Sequence, residues 1–108
     1  MSQPSLTAAS EPLDSGVRVR LSGELDIATA GRAEEELRRA EAGEAAVLAV
    51  DLGGLTFMDS TGLRLIVAAH SRARDADRRF VVVRGPDAVH RVLELTGLDG
   101  RLEVVEAI

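Results

Sequence analysis

The spacing of apolar residues divides the first half of the chain into a strand and a helix. In Val17–Leu21 apolar residues alternate with arginines, which predicts a strand with one buried face. Gly23 and Asp26 then mark a turn. Apolar residues next recur at helical spacing, with paired glutamates and arginines on the other side, and predict an amphipathic helix over about Thr29–Ala42 that ends before Gly43.

The same alternation of strands and helices continues to the end of the chain. A short apolar run before Gly53 has no period of two, which is typical of a central strand buried on both faces. The predicted elements are a strand at Ala46–Asp51, a helix at Ser60–Arg74, a strand at Phe80–Val83, a helix from Pro86 to Leu95 stopped by Gly97, and an edge strand around Leu102–Val104. This order predicts right-handed parallel crossovers in a single α/β domain.

The N-terminal residues lack this patterning. Residues 1–15 mix serine, proline, threonine and glutamate, and predict a flexible lead-in with a possible short edge strand at Leu6–Ala8. We therefore expect the domain to occupy residues 16–108, since a chain of 108 residues supports one core.

Composition excludes several classes of function. The net charge of −5 and the two aromatic residues argue against a nucleic-acid partner, which needs a basic surface and stacking side chains. All 13 basic residues are arginine, so Schiff-base chemistry and a P-loop lysine are excluded. Cysteine is absent, which excludes thiol nucleophiles, disulfides and cysteine-ligated zinc.

Targeting signals are not visible in the sequence. The first basic residue is Arg18, and the longest apolar run, Ala45–Val50, is far shorter than the ~20 residues of a membrane span. We expect a cytoplasmic protein without a membrane partner.

Two stretches follow predicted strands, where parallel α/β proteins place functional groups. They are Gly23–Asp26 and Phe57–Gly62. The local interpretation of Asp59 or Ser60 is a helix N-cap, which contributes about 1 kcal/mol. Spacing alone favours this capping role.

Taken together, these two stretches and Thr96–Leu98 resemble the bacterial anti-sigma-factor antagonists, which are STAS-domain proteins. The resemblance runs from about Val17 to Val105, and its specific part is the motif around Ser60. It implies a STAS-like βα superhelix with a mostly parallel sheet of four to five strands and three to four helices. Members of the family commonly continue into another helix after the last strand, whereas this sequence stops at Ile108.

The resemblance also implies a site. In that family the serine directly after the aspartate is phosphorylated, so Ser60 would be the acceptor, flanked by Asp59 and Thr61, with Gly62 allowing close approach. The family's aspartate in the first loop matches Asp26, which would lie beside the same site. The implied function is an antagonist that binds an anti-sigma factor with serine kinase activity and releases a sigma factor. Phosphorylation of Ser60 would end that binding, a serine phosphatase would reset it, and no cofactor is implied.

Alternatives remain open at this stage. A STAS domain can instead be a scaffold or transport-accessory subunit without a phospho-switch. A phospho-aspartate receiver would use Asp51, but such proteins also need a lysine, which this chain lacks. A small hydrolase is weaker still, because no histidine is placed to act as a base for Ser60.

Other polar residues favour structural roles. His70 and His90 have no companion at metal-ligand spacing, so no metal site is predicted. Glu34–Glu36 indicate a solvated helix face. A final group of basic residues could meet an acidic partner, although cations near a helix C-terminus also complement its dipole: Arg72, Arg74, Arg78 and Arg79.

Overall fold

The computed structural model describes residues 5–108, which form one five-stranded sheet and three α-helices. The strands lie in the sheet in chain order, with the first pair antiparallel and the other pairs parallel. They are β1 (Leu6–Pro12), β2 (Gly16–Leu25), β3 (Val47–Met58), β4 (Arg79–Val83) and β5 (Glu103–Val105). This confirms the predicted α/β class and the mostly parallel sheet.

The helices lie close to their predicted positions. They are α1 (Ala30–Glu41), α2 (Ser60–Asp75) and α3 (Asp87–Leu95), and a short 3-10 helix follows at Leu98–Gly100. Pro86 is the N-cap of α3, and Gly97 has a φ of 74°, the left-handed conformation that ends a helix at low cost for glycine. The stop signal predicted at Gly97 is therefore confirmed.

The predicted lead-in differs most from the structure. Its first four residues lie outside the described part of the chain, but β1 is seven residues long rather than the short Leu6–Ala8 segment. It pairs with β2 from Leu6↔Gly23 to Pro12↔Val17, and Leu6 is buried in the core. Residues 6–12 are therefore part of the sheet, and the lead-in interpretation is wrong for them.

The two central strands are longer than predicted because glycine does not end them. Gly23 lies inside β2 with a φ of 102°, and Gly53 and Gly54 lie inside β3. The β2–β3 register shifts between Arg20 and Ser22 and again between Gly23 and Glu24. The register shifts accommodate the glycines within the strands. Both strands therefore continue to the end of the sheet at which α2 begins.

One face of the sheet and all three helices share a single core. Val19, Val50 and Val82 supply the sheet face, and each is fully buried. The helices contribute Leu37, Ile66 and Leu93 among others. In residues 5–108, no helix has the length and apolar character needed to cross a membrane.

Candidate functional site

The predicted site lies where β2 and β3 end side by side. Leu25 and Met58 are Cα partners in the parallel ladder, and the next residues in each strand are Asp26 and Asp59. The Asp59 N–H donates a hydrogen bond to the Leu25 carbonyl at 3.3 Å. Two carboxylate-bearing loops therefore leave adjacent strands at the same edge, as expected for Asp26 and the Ser60 motif.

Asp59 is the N-cap of α2. Its backbone is extended, and its Oδ1 accepts a hydrogen bond from the Thr61 N–H at 2.9 Å. The Asp59 carbonyl also accepts from Leu63 N–H at 3.1 Å, which closes the first turn. Of the two residues that could cap this helix, Asp59 does so, and Ser60 is left without that role.

Ser60 is the first residue of α2 and is exposed to solvent. Among residues 5–108, its hydroxyl makes no hydrogen bond, and the Ser60 and Gly62 N–H groups also lack an acceptor. The first N–H groups of a helix have no intrahelical partner, and they carry the positive end of its dipole. A free hydroxyl therefore stands beside unpaired donors that suit an anion.

Gly62 faces inward. A Cβ added there would lie 2.7 Å from Met58 Cγ and 2.8 Å from Leu25 Cδ2. The close approach that glycine allows is thus between α2 and the ends of β2 and β3. Gly62 allows the first turn of α2, which carries Ser60, to pack closely on the sheet. Thr61 beside it is only partly buried.

We expect Gly62→Ala to lower the free energy of unfolding by about 1–3 kcal/mol, because a methyl group there overpacks the buried turn. Gly31→Ala is the matched control, since among residues 5–108 no atom outside the local backbone lies within 4 Å of a Cβ on that helical glycine. It should be neutral or stabilise by up to about 1 kcal/mol. Urea unfolding of both variants measures the difference, and equal stabilities would contradict the assigned packing.

Asp26 organises the start of α1 as well as bordering the site. Its Oδ1 accepts from the N–H groups of Ala28 (2.9 Å) and Thr29 (3.2 Å), and its own N–H donates to Thr29 Oγ1 at 3.0 Å. The Thr29 hydroxyl in turn donates to the Glu24 carbonyl at 2.7 Å. Sequence reasoning missed this role, although an aspartate whose carboxylate can accept from the N–H two residues on is a recognisable turn-forming signal.

Two large apolar side chains are exposed around these loops. Ile27, directly after Asp26, is 82% exposed, and Phe57, three residues before Ser60, is 47% exposed. Ile27 did not stand out in the sequence pattern, because a single apolar residue in a loop has no periodicity. Both exposed residues lie at the ends of β2 and β3, the adjacent strands after which Asp26 and Ser60 follow.

Comparison with known proteins supports the resemblance carried by these residues. The profile of the STAS domain family matches residues 9–107. The chain belongs to the STAS domain family. It is 33% identical over 88 residues to an anti-sigma-B factor antagonist of Listeria monocytogenes, covering 82% of this chain and 77% of that protein. It is 31% identical over 93 residues to an anti-sigma-B factor antagonist of Staphylococcus aureus, covering 86% of each.

A solved structure extends the comparison to the whole described fold. The crystal structure of an anti-sigma factor antagonist from Mycobacterium paratuberculosis matches with a TM-score of 0.91 and 30% identity. The match covers 100% of this chain and 92% of that one. The predicted family and the predicted fold class are both confirmed.

Asp51 of this STAS domain does not lie at a strand end. It is near the middle of β3, its side chain is 8% exposed, and Arg20 Nε lies 3.2 Å from its Oδ2. Its Oδ1 accepts from the Gly53 N–H at 2.8 Å. Both oxygens are engaged, which argues against the receiver alternative that would use Asp51.

The basic group at the end of α2 is mostly engaged within the domain. Arg72 Nε lies 2.6 Å from Glu41 Oε1, and this hydrogen bond raises the pKa of Arg72. Arg78 donates to three carbonyls between residues 41 and 45, and Arg79 pairs with Glu103. The Arg79 hydrogen bond lowers the pKa of the Glu103 carboxyl. Within residues 5–108, Arg74 is the one member of the predicted group whose side chain forms neither an ion pair nor a hydrogen bond, so most of the group is not free to meet an acidic partner.

The predicted solvated face holds for Glu35, whose side chain is 72% exposed, but not for Glu36, which is 13% exposed and accepts a hydrogen bond from Ser10. Arg38 pairs with Glu34 at 3.0 Å, and Arg39 pairs with Glu35 at 3.3 Å and Glu36 at 2.6 Å. These are i,i+3 and i,i+4 contacts along α1, each worth a few tenths of a kcal/mol.

The histidines have different surroundings. The His70 ring packs 5.5 Å from the Phe80 ring, which agrees with a partly buried packing role. The prediction that His90 has no companion at ligand spacing is wrong. Glu94 and Asp99 offer carboxylate oxygens that lie, with a His90 ring nitrogen, within 4.8 Å of one another. The chain turn after α3 brings Asp99 to this place, which spacing along one helix does not reveal.

Proposed function

We propose that this STAS domain is an anti-sigma-factor antagonist whose binding is switched off by phosphorylation of Ser60. The observation that carries the proposal is the exposed Ser60 hydroxyl on the first turn of α2, which forms no hydrogen bond with residues 5–108 and follows Asp59 at the strand end next to the Asp26 loop. The names of the Listeria and Staphylococcus relatives support an anti-sigma factor as the partner.

The turn that holds Ser60 is suited to accept a phosphate without unfolding. A phosphoserine adds about −1.5 to −2 charges and three acceptor oxygens. The Ser60 and Gly62 N–H groups and the helix dipole stabilise negative charge at this position. Asp59 continues to cap the helix through Thr61, so the modification leaves the existing hydrogen bonds in place.

Phosphorylation of Ser60 would weaken binding of a partner to the surface around this residue. The exposed Ile27 and Phe57 provide apolar contact area, while Asp26 and Asp59 already place two carboxylates nearby. A docked partner must match this pattern and must desolvate whatever charge it covers. The added phosphate concentrates negative charge at one edge of the sheet and blocks docking, and no large rearrangement is needed.

The proposed cycle needs two further proteins. An anti-sigma factor with serine kinase activity transfers the γ-phosphoryl group of ATP to Ser60 Oγ, and a serine phosphatase hydrolyses the ester to restore the hydroxyl. Unphosphorylated protein holds the anti-sigma factor and thereby frees a sigma factor. Because sigma factors act on RNA polymerase, we place this cycle in the cytoplasm.

A scaffold or transport-accessory role is the alternative from the same family. It predicts a permanent assembly in which Ser60 is unimportant. A pull-down from a lysate of the source organism, with wild-type and Ser60→Asp protein as bait, separates the two. The proposal expects an anti-sigma kinase on wild-type protein and its loss on Ser60→Asp. Recovery of the same partners by both baits would contradict it.

We expect the purified protein to show no ATP hydrolysis of its own, and we propose that it is not an enzyme. In residues 5–108 no histidine is hydrogen-bonded to Ser60, and the sequence offers no cysteine or lysine nucleophile. Phosphate release from ATP by the isolated protein should match buffer alone. Hydrolysis that disappears in Ser60→Ala would show a catalytic serine and overturn this part of the proposal.

A further inference from the structure

A groove runs along the outer side of α2, between this helix and the segment that follows α3. Leu63 and Val67 line it from α2, and Leu98 and Leu102 line it from the 3-10 helix and the residues after it. Two adjoining cavities of about 240 and 570 Å³ share Val67, Ser71 and Leu98, so they form one continuous depression. Val67 is 38% exposed, unlike the buried core residues of α2.

The groove has a helical repeat and a helical length. Leu63, Val67 and Ser71 follow one another at i, i+4 and i+8 along α2, and Arg74 ends the stripe. At about 1.5 Å per residue the stripe is roughly 16 Å long, which equals about three turns of an apposed helix. A long, shallow, apolar depression between helices is typical of helix-in-groove recognition.

The rim of the groove is basic although the chain as a whole is acidic. Arg64, Arg74 and Arg101 line the two cavities, and none of the lining side chains from residues 5–108 is acidic. Within the described residues, none of these three arginines forms an ion pair, whereas Arg72, Arg78 and Arg79 are all engaged. This local excess of unpaired cations contrasts with the net charge of −5 of the whole chain.

Helix electrostatics alone do not explain this rim. Arg74, in the last turn of α2, complements the helix dipole. Arg64 lies near the N-terminus of the same helix, where the dipole offers a cation no stabilisation. Arg101 follows the 3-10 helix and comes from a different part of the chain. The three converge on one apolar floor, which is the pattern of a surface complementary to acidic and apolar groups together.

We propose that this groove binds an acidic amphipathic helix of a partner protein. Apolar residues of that helix would pack on Leu63, Val67 and Leu98, and its carboxylates would pair with the three arginines. The proposal goes beyond the Ser60 switch and does not depend on it, since Ser60 itself does not line the groove.

The test uses a synthetic peptide of about 15 residues, with leucines at i, i+4, i+7 and i+11 and glutamates on the flanks of that stripe. Amide NMR shifts of the full chain are followed during titration. We expect saturable shifts confined to residues 63–74 and 96–102, and weaker binding as salt rises. The same peptide with lysine in place of glutamate should bind at least tenfold more weakly.

Variants locate the contact. Arg74→Glu and Arg101→Glu should each weaken peptide binding at least threefold, while Arg32→Glu, an exposed arginine of α1 without an ion pair among residues 5–108, should not. Val67→Asp tests the apolar floor, and thermal melts of each variant confirm folding. Peptide binding to wild-type protein is measured without the anti-sigma factor, so failure of the switch and failure of the groove are distinguishable.

Three results would overturn the proposal. They are absence of saturation, shifts located outside the groove, or equal binding of the lysine peptide. Self-association that Arg74→Glu abolishes would assign the groove to a second copy of this chain and would also overturn it.

Discussion

Ser60→Asp is expected to weaken binding to the anti-sigma factor more than tenfold while changing the free energy of unfolding by less than about 1 kcal/mol. The folded state tolerates a carboxylate at this position, because the first turn of α2 has unpaired N–H groups and a favourable dipole. The docked state does not, because the new charge adds to Asp59 and Asp26 and must be desolvated under the partner. Aspartate carries less charge than phosphoserine, so its effect is a lower bound on that of the proposed phosphorylation.

Calorimetric titration against the recovered anti-sigma factor and thermal melts of the same samples measure the two effects separately. Ser15→Asp is the matched control, since Ser15 is exposed in the turn before β2, at the opposite end of the sheet. Ser60→Ala should bind like wild type. Equal affinity of Ser60→Asp and wild type, or a loss of binding that follows a loss of folding, would show that Ser60 is structural.

The helices could be predicted from sequence because their signals are local. The 3.6-residue period, the Asp59 cap and the Gly97 stop all act within a few residues of the element they define. The predicted bounds of α1 extend one residue beyond the structure at each end, and α2 begins at Ser60 as expected. Local rules therefore placed Ser60 correctly at the start of α2.

The strands depended on contacts that local rules do not contain. The sequence predicts that the central strand ends before Gly53, yet β3 continues through Gly54. A Cβ at Gly54 would lie 2.3 Å from Ser22 Oγ, so the glycine allows two long strands to approach closely. Gly23 reads as a turn, but its positive φ places it against the Ser5 carbonyl where β1 begins. Strand β1 itself buries little more than Leu6, and it is held by pairing with β2.

Some features of the site could be predicted from the sequence, and others depend on tertiary contacts. The neighbourhood of Asp26 and Asp59 follows from the rule that parallel strands end at one edge, so sequence could anticipate it. The inward packing of Gly62 on Leu25 and Met58 could not be anticipated, because it depends on how deeply α2 sits on the sheet. The exposure of Ile27 and the basic rim along α2 depend equally on tertiary placement.

Incubation with the anti-sigma kinase and ATP is expected to place phosphate on Ser60 alone, and Ser60→Ala is expected to lose the modification completely. The reason is geometric. Ser60 is exposed at a strand-to-helix junction, and its hydroxyl is free of intramolecular bonds in the described part of the chain. Thr61 is the nearest competitor, but it is only partly exposed, and its N–H is held by the Asp59 carboxylate. Peptide mass spectrometry identifies the modified residue.

Two variants make this prediction sharp. Thr61→Val keeps the size of the side chain and the capped N–H but removes the hydroxyl, so it should be phosphorylated like wild type. Ser71→Ala removes an exposed hydroxyl on the same helix and should also have no effect.

Once phosphorylated, the wild-type protein should melt within a few degrees of the unmodified form, because the added oxygens meet the free N–H groups of the α2 terminus. Modification mainly at Thr61 or Ser71 would move the switch away from Ser60. A phosphorylated protein that unfolds would show that the phosphate acts on the fold, so the proposed block of a docking surface would be wrong.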